Sequence, residues 1–305
     1  MPAARSASAE HIRKVNTDYH DVAAASYDSK WGIDFGATGQ GQVRSKLEKA
    51  LGGLPAEPFS DALEIGAGTG YFSLNLLQLG LIRNATVTDI SPGMLASLQA
   101  NAAELGLEAM TAATDAEQLP FAEESFDLVF GHAILHHVPD LRRAFSEFRR
   151  VLRPGGVVAF CGEPSRHGDR LAALPKRAGT ALAPAWRAAV GAGPATAPDD
   201  GGSNGHSLEG EVDVHSFSPA DLRRTALGAG FETPRIRGEE LLANIWGWGL
   251  RSVEASAEPD SVPMAWRRFA FRSYLALQRL DQALLEPRLP PELFYNLVLS
   301  ARKPD

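Results

Sequence analysis

Apolar, strand-like runs at residues 62–65, 85–88, 109–113, 126–130 and 157–161 alternate with helical patterns at 71–79, 92–105 and 141–152. Strands and helices in this order imply a parallel sheet covered by helices on both faces. The runs are continuous rather than alternating, as expected of strands buried on both sides. Arg153-Pro154-Gly155-Gly156 marks a stop and turn before the fifth strand. Ser218 reads as an N-cap with Pro219 at the first helical position, and that helix ends at 228–230. Residues 231–237 and 293–301 read as sixth and seventh strands. The expected fold class is α/β, a doubly wound and mostly parallel seven-stranded sheet with helical insertions.

The rest of the chain is less regular. Residues 1–10, rich in Ala and Ser, read as disordered and lack the apolar segment of a secretory signal. A helix begins within 10–18 and continues toward Tyr27. Residues 36–41 read as a loop, and 42–51 as a helix closed by Gly52-Gly53. Two insertions interrupt the late part of the chain, at about 164–216 and about 238–292. The first contains 191–206, rich in Gly, Pro, Asp and Asn, which reads as a mobile loop. In the second, Trp266, Ala270, Leu277, Leu280 and Leu284 share one helical face.

Composition narrows the functional classes. The net charge of −7 argues against general nucleic-acid binding, which wants a basic face. With one cysteine, Cys161, an internal disulfide and a cysteine-rich zinc site are both excluded. Cys161 lies in an apolar run and reads as core filling. No stretch approaches the ~20 apolar residues that span a bilayer, and the protein is expected in the cytoplasm.

The segment Leu63-Glu64-Ile65-Gly66-Ala67-Gly68-Thr69-Gly70 carries the most chemistry. Glycines at alternate positions after a buried strand let the backbone turn tightly and leave room for a ligand. In open α/β sheets, ligands bind past the carboxyl ends of the strands. The spacing G-x-G-x-G is not the G-x-G-x-x-G that seats a pyrophosphate. The acid Glu64 would disfavour a pyrophosphate and tolerate a cationic ligand. Asp89, ending the second strand, suits the two hydroxyls of a ribose. Asp115, ending the third, suits an adenine amino group, with Ala116 supplying a backbone amide.

These residues resemble the class I S-adenosylmethionine (SAM)-dependent methyltransferases, in the type 11 branch related to quinone-biosynthesis enzymes. The resemblance rests on residues 64–70, Asp89-Ile90-Ser91-Pro92-Gly93-Met94, residues 115–121 and 126–130, Leu135-His136-His137-Val138 and Val151-Leu152-Arg153-Pro154-Gly155-Gly156. It is close over about 60–163 and looser to the last strand. It implies a Rossmann-like methyltransferase fold with SAM as cofactor. Gly66, Ala67, Gly68 and Gly70 would line the methionine portion. Asp89 would hold the ribose, Ile90 and Met94 would lie against the adenine, and Asp115 and Ala116 would take its edge. Gly131 and His132 would contact the methionine or ribose side. Tyr27 resembles an upstream aromatic that closes over the cofactor. Residues 1–58 would then be a helical lid segment and 59–305 the SAM-binding domain, with the two insertions forming a substrate cap.

Methyl transfer from a sulfonium requires alignment and exclusion of water, and a base only where the acceptor must lose a proton. His132, His136, His137, Glu163 and His167 cluster past the fourth and fifth strands. Among them His137 and Glu163 are the catalytic or substrate-positioning candidates. The fourth strand is followed by Gly131-His132-Ala133-Ile134, not the Asn/Asp-Pro-Pro-Tyr run used on nucleobases and glutamine. Nor are there acids there to hold magnesium, so no metal is expected. Trp246, Trp248, Trp266, Phe269, Phe271 and Tyr274 suggest a roof over a small hydrophobic or aromatic acceptor, a helical subdomain core, or a homodimer contact. The arginines 267, 268, 272 and 279 read as a solvated face, with an anionic substrate tail as the other reading. Two further alternatives are a SAM-binding regulatory module without transfer activity and an NAD-type oxidoreductase.

Overall fold

The computed structural model describes residues 8–24, 27–28, 32–195 and 215–305. The strands are β1 (Phe59–Ile65), β2 (Ile82–Asp89), β3 (Met110–Ala113), β4 (Phe126–His132), β5 (Leu152–Pro164), β6 (Glu232–Glu239) and β7 (Asn296–Arg302). They form one sheet in the order β3-β2-β1-β4-β5-β7-β6. The first five pair in parallel, and β7 runs antiparallel between β5 and β6. After β1 the chain winds outward to β2 and β3, then returns to β4 on the other side. The crevice for a ligand therefore opens at the carboxyl ends of β1 and β4.

The helices are α1 (Ala9–Ala23), α2 (Ala37–Leu51), α3 (Tyr71–Gln78), α4 (Pro92–Leu105), α5 (Leu141–Val151), α6 (Arg166–Val190), α7 (Pro219–Gly228), α8 (Leu242–Glu254) and α9 (Met264–Leu280). Period-two alternation feeds two cores from the same strands. Val129, Val158 and Phe160 pack with Phe145 and Phe148 of α5 and Leu222 of α7. Leu128, Phe130, Ala159 and Cys161 pack with Val43 and Leu47 of α2 and Phe72 of α3. Both sheet faces are thus dry, which explains the continuous apolar runs. Burial pushes the Cys161 thiol well up, as suits a core residue.

Several elements depart from the sequence expectation. Residues 36–41 are not a loop, because α2 begins at Ala37. The Asp34 carboxylate accepts the amides of Gly36 and Gly39 (3.1 and 2.8 Å), capping the helix from outside. Gly39 is required there, since a Cβ would stand 1.7 Å from the Asp34 carbonyl oxygen. α2 packs into the second core through Val43, Leu47 and Ala50. The turn at 153–156 lies within β5 as an outward bulge, since Phe126 pairs with Leu152 but Leu128 with Val157.

The first insertion is more regular than expected. α6 runs for 25 residues through Pro175 and Pro184, each costing about 3 kcal/mol in an isolated helix. Tertiary packing compensates: Gly179 lets α6 approach α8 so closely that a Cβ would meet the Gly249 carbonyl at 2.6 Å. Of the expected mobile loop, residues 196–206 lie outside the described residues. In the second insertion, Leu280 and Leu284 are 40% and 47% exposed rather than buried. The buried Glu240 carboxylate draws in Tyr274 and Gln278 (both 2.8 Å), so the last turn of α9 buries Gln278 and leaves Leu280 exposed.

Candidate functional site

The glycine loop leaves β1 and enters α3 with positive φ at all three glycines: 64° at Gly66, 53° at Gly68 and 91° at Gly70. Two of them are also closely packed. A Cβ at Gly66 would lie 2.4 Å from Ile134 Cδ1, and one at Gly70 2.8 Å from Leu74 and Leu98. Gly68 differs: nothing lies within 4 Å of a Cβ built there. The loop is therefore held tight at both ends and open in the middle, where the crevice is. The Ala67 amide donates to the Thr88 carbonyl (2.9 Å), tying the loop to β2.

Two buried acids underlie the loop. Asp89 accepts the Gly68 amide on Oδ2 (2.8 Å) and the Ser91 amide on Oδ1 (2.9 Å). Burial raises its pKa, and these backbone hydrogen bonds oppose the rise. Lone pairs remain on the carboxylate for a further donor. Glu64 accepts the Ser73 amide (3.1 Å), and burial pushes its carboxyl up to about 8. Ile90 is half-buried beyond β2. Met94 is fully buried in the first turn of α4, where its amide donates to the Ser91 hydroxyl (3.0 Å).

Helix α1 lies across this crevice. Arg13 reaches both Asp115 (Nε to Oδ2, 2.5 Å) and the buried Glu117. Asp21 accepts the Ser91 hydroxyl and the Gly93 amide (3.0 Å), capping α4 from outside. Asp28 and the Thr69 carbonyl share the Asn101 amide group (3.0 Å each). Burial, with the nearby Asp89 charge, pushes the Tyr27 hydroxyl up to about 12. Ala116 packs half-buried against the core behind Asp115. Arg13 and Asp21 are absent from the sequence reading. Both are polar residues of a helix whose partners lie 70 or more positions away, and no local spacing announces such pairs.

Gly131 and His132 diverge from the end of β4. Gly131 is pressed between Ile65 O and Ile134 Cγ2, each of which would lie 2.8 Å from a Cβ at that position. His132 stacks on Phe72 (5.6 Å, 18°) and meets Tyr71 edge-on, beside the first residues after the glycine loop. Burial and Lys46 lower its pKa to about 4, so it is a neutral imidazole near pH 7. His137 packs against His136 (3.9 Å) and against His20 of α1 (5.7 Å), at the contact between helix and sheet.

Glu163 is fully buried, at 0% exposed. Its Oε1 accepts the amides of Ile134 and Leu135 (3.0 Å each), and Oε2 accepts the amide of His136 (3.2 Å) and lies 2.9 Å from its Nδ1. A carboxylate occupied in this way caps the turn Leu135–His137. The physical reason is that the first amides of any helical turn need acceptors, and here the end of β5 supplies one.

A buried charge network adjoins the site. Lys46 Nζ lies 2.7 Å from Glu239 and 3.4 Å from Glu240, and Lys49 lies 2.7 Å from Glu286. It fastens α2 to the end of β6 and to the second insertion. The sequence holds one signal of it: Lys46 falls on the apolar face of α2 that carries Val43, Leu47 and Ala50. Part of the aromatic set packs among the insertion helices. Trp186, Trp266, Phe269 and Trp246 form a chain of ring contacts between α6, α8 and α9 (5.2, 5.4 and 6.3 Å). Among the described residues, no group of three or more His, Cys, Asp or Glu is placed to hold a metal ion, and no helix is long and apolar enough to cross a membrane.

The methyltransferase-domain family matches residues 63–160. The chain is 32% identical over 226 residues to a malonyl-[acyl-carrier protein] O-methyltransferase of Methylococcus capsulatus, covering 71% of this chain and 76% of that protein. It is 30% identical over 268 residues to the protein of the same name from Geobacter sulfurreducens, covering 85% and 86%. The fold matches a Haemonchus contortus phosphoethanolamine N-methyltransferase solved with S-adenosylhomocysteine (TM-score 0.60, 17% identity, all of this chain and 62% of that one). It matches the [4+2]-cyclase SpnF nearly as well (TM-score 0.57, 18% identity, 96% and 97%), so the fold alone does not specify the reaction.

Proposed function

This chain belongs to the class I SAM-dependent methyltransferases, and from that premise we propose that it methylates the free carboxylate of an acyl chain carried as a thioester on acyl carrier protein. The observation that carries the proposal is the extent of the two sequence matches. They run over 226 and 268 residues, well past the 98-residue span of the shared domain and into the insertions that distinguish acceptors.

The residues present fit the cofactor. The open side of Gly68 leaves room beside the loop, and the Asp89 lone pairs suit the ribose hydroxyls. Asp115 and the Ala116 amide would take the adenine edge, with Ile90 and Met94 forming the wall behind it. Gly66, Ala67, Gly70 and Gly131 would bound the methionine portion, with His132 beside it and Glu64 beneath. Bound there, SAM supplies a methyl group on a cationic sulfur. Tyr27 and α1, pinned by Arg13 and Asp21, would exclude water.

The site's acid–base chemistry agrees with a carboxylate acceptor. An ionised carboxylate is already a nucleophile near neutral pH, so no group need remove a proton. Glu163 is committed to backbone amides, and neutral His132 is stacked on Phe72. His137, at the contact with α1, would help shape the entrance rather than transfer a proton. The test is incubation of the enzyme with SAM and malonyl-acyl carrier protein, followed by intact-protein mass spectrometry. The expected product is the methyl ester on the carrier. No ester on the carrier, together with turnover of quinones or phenols, would replace this reading with the small aromatic acceptor.

A further inference from the structure

The chain carries a net charge of −7, yet one region is strongly basic. Helices α6, α8 and α9 contain ten of the 30 Lys and Arg residues and two of the 37 Asp and Glu residues. α9 has four arginines and no acid. At 100° per residue, Met264, Arg268, Phe271, Arg272 and Arg279 share its outward face. Met264 is 58% and Phe271 54% exposed. Among the described residues, no salt bridge engages Arg268, Arg272 or Arg279. The opposite side of the helix is committed inward, with the Trp266 indole donating to Glu254 (2.7 Å) and the Tyr274 hydroxyl to Glu240 (2.8 Å).

We propose that this face of α9 is the docking surface for an acidic, helical acyl-carrier protein. The inference rests on the acceptor reading above and adds where the partner sits. Exposed Arg beside exposed Met and Phe is the composition of protein-protein interfaces, and a field of this sign steers an acidic partner. An anionic membrane fits less well. An interfacial helix needs a continuous apolar face, whereas here Arg268, Arg272 and Arg279 share the face with Met264 and Phe271. α9 packs on α8, and an apolar slot rimmed by Leu171, Ile245 and Leu293 lies between α8 and α6. That slot lies over Gly168 and Tyr295, just beyond the ends of β5 and β7, on the side of the sheet where the cofactor crevice opens. A carrier seated on α9 would sit on the helix packed against the α8 wall of this slot.

The test compares the wild-type enzyme with the double variant Arg268→Glu/Arg272→Glu and with Arg83→Glu, a charge reversal at the distant end of β2. Three quantities are measured: the Kd for malonyl-acyl carrier protein at low and physiological salt, the KM for that substrate, and turnover of a small free malonyl thioester. The expected result is at least a tenfold rise in Kd and KM for the double variant with a flattened salt dependence. Small-thioester turnover should stay unchanged, which also shows that the variant is folded, and Arg83→Glu should behave as wild type. Carrier Kd and KM unchanged in the double variant, with both substrates still methylated, would overturn the docking surface alone. Methylation of neither substrate by the wild type would overturn the acceptor reading and this inference with it. Arginine-dependent binding to phosphatidylglycerol vesicles, with no binding to the carrier, would overturn it in favour of a membrane surface.

Discussion

Replacing Glu163 with glutamine separates a positioning carboxylate from a catalytic one. In the native protein its two oxygens accept three backbone amides, at 3.0, 3.0 and 3.2 Å, and face His136 Nδ1 at 2.9 Å. A glutamine keeps one acceptor oxygen, which retains the Ile134 and Leu135 amides. Its NH2 group then meets the His136 amide donor to donor. One buried donor left unpaired costs about 1–3 kcal/mol, and the two surviving bonds lose their charge assistance. The total is about 2–4 kcal/mol. At roughly 2 °C per kcal/mol for a chain of this size, Tm should fall by about 4–8 °C. Activity should fall modestly, because Ile134, the first residue held by Glu163, packs over Gly66 and sets the loop. The assay is thermal unfolding by circular dichroism, with initial rates across pH measured well below both transitions. A destabilised enzyme with an unchanged pH-rate profile is expected. An unchanged Tm, with kcat reduced by about 10²–10⁴-fold and one limb of the profile lost, would refute the argument and make Glu163 a general base.

Asp89→Ala removes the group proposed to hold the ribose and should weaken SAM binding by about 1.5–3 kcal/mol, read by calorimetric titration; unchanged affinity would show that the ribose is held elsewhere. Glu64, pushed up to about 8, holds its proton at pH 7 in the ligand-free protein. A cationic ligand favours the ionised form, so SAM binding should release protons, and S-adenosylhomocysteine, without the sulfonium, fewer. Titrations in buffers of different ionisation heat would read the release, and identical heats in all buffers would dismiss it. His132 titrates at about 4 in the folded protein against an ordinary 6.5. Below 6.5 the unfolded chain takes up the proton first, so stability present above 6.5 declines as the pH falls toward 4, by about 3 kcal/mol. Urea unfolding of His132→Phe should show a flatter acid limb than wild type, and parallel limbs would assign the acid sensitivity to another group.

The parts of this protein legible in its sequence are those governed by local physics. Apolar runs of strand length, separated by helical periodicity, specify a sheet buried on both faces, because no other arrangement keeps such strands dry. Three alternate glycines after a strand specify a tight, ligand-sized loop, because residues with a Cβ resist the positive φ values found at 66, 68 and 70. Asp89 and Asp115 were visible for the same reason, since strand ends are positions defined by the pattern itself. Tertiary structure alone decided which acids are committed and which are open. Glu163 and Asp89 both stand at the carboxyl ends of strands, and nothing in their neighbours distinguishes them. Glu163 is enclosed because the turn after β4 needs an acceptor for its amides and β5 lies next to β4. Asp89 retains free lone pairs because β2 ends beside the crevice. The contacts of Arg13 and Asp21 were likewise invisible, and of the Lys46 pairs with Glu239 and Glu240 only a lysine on an apolar helix face showed. They join residues 70 to 194 positions apart, and a long-range ion pair leaves no periodicity in either segment it connects.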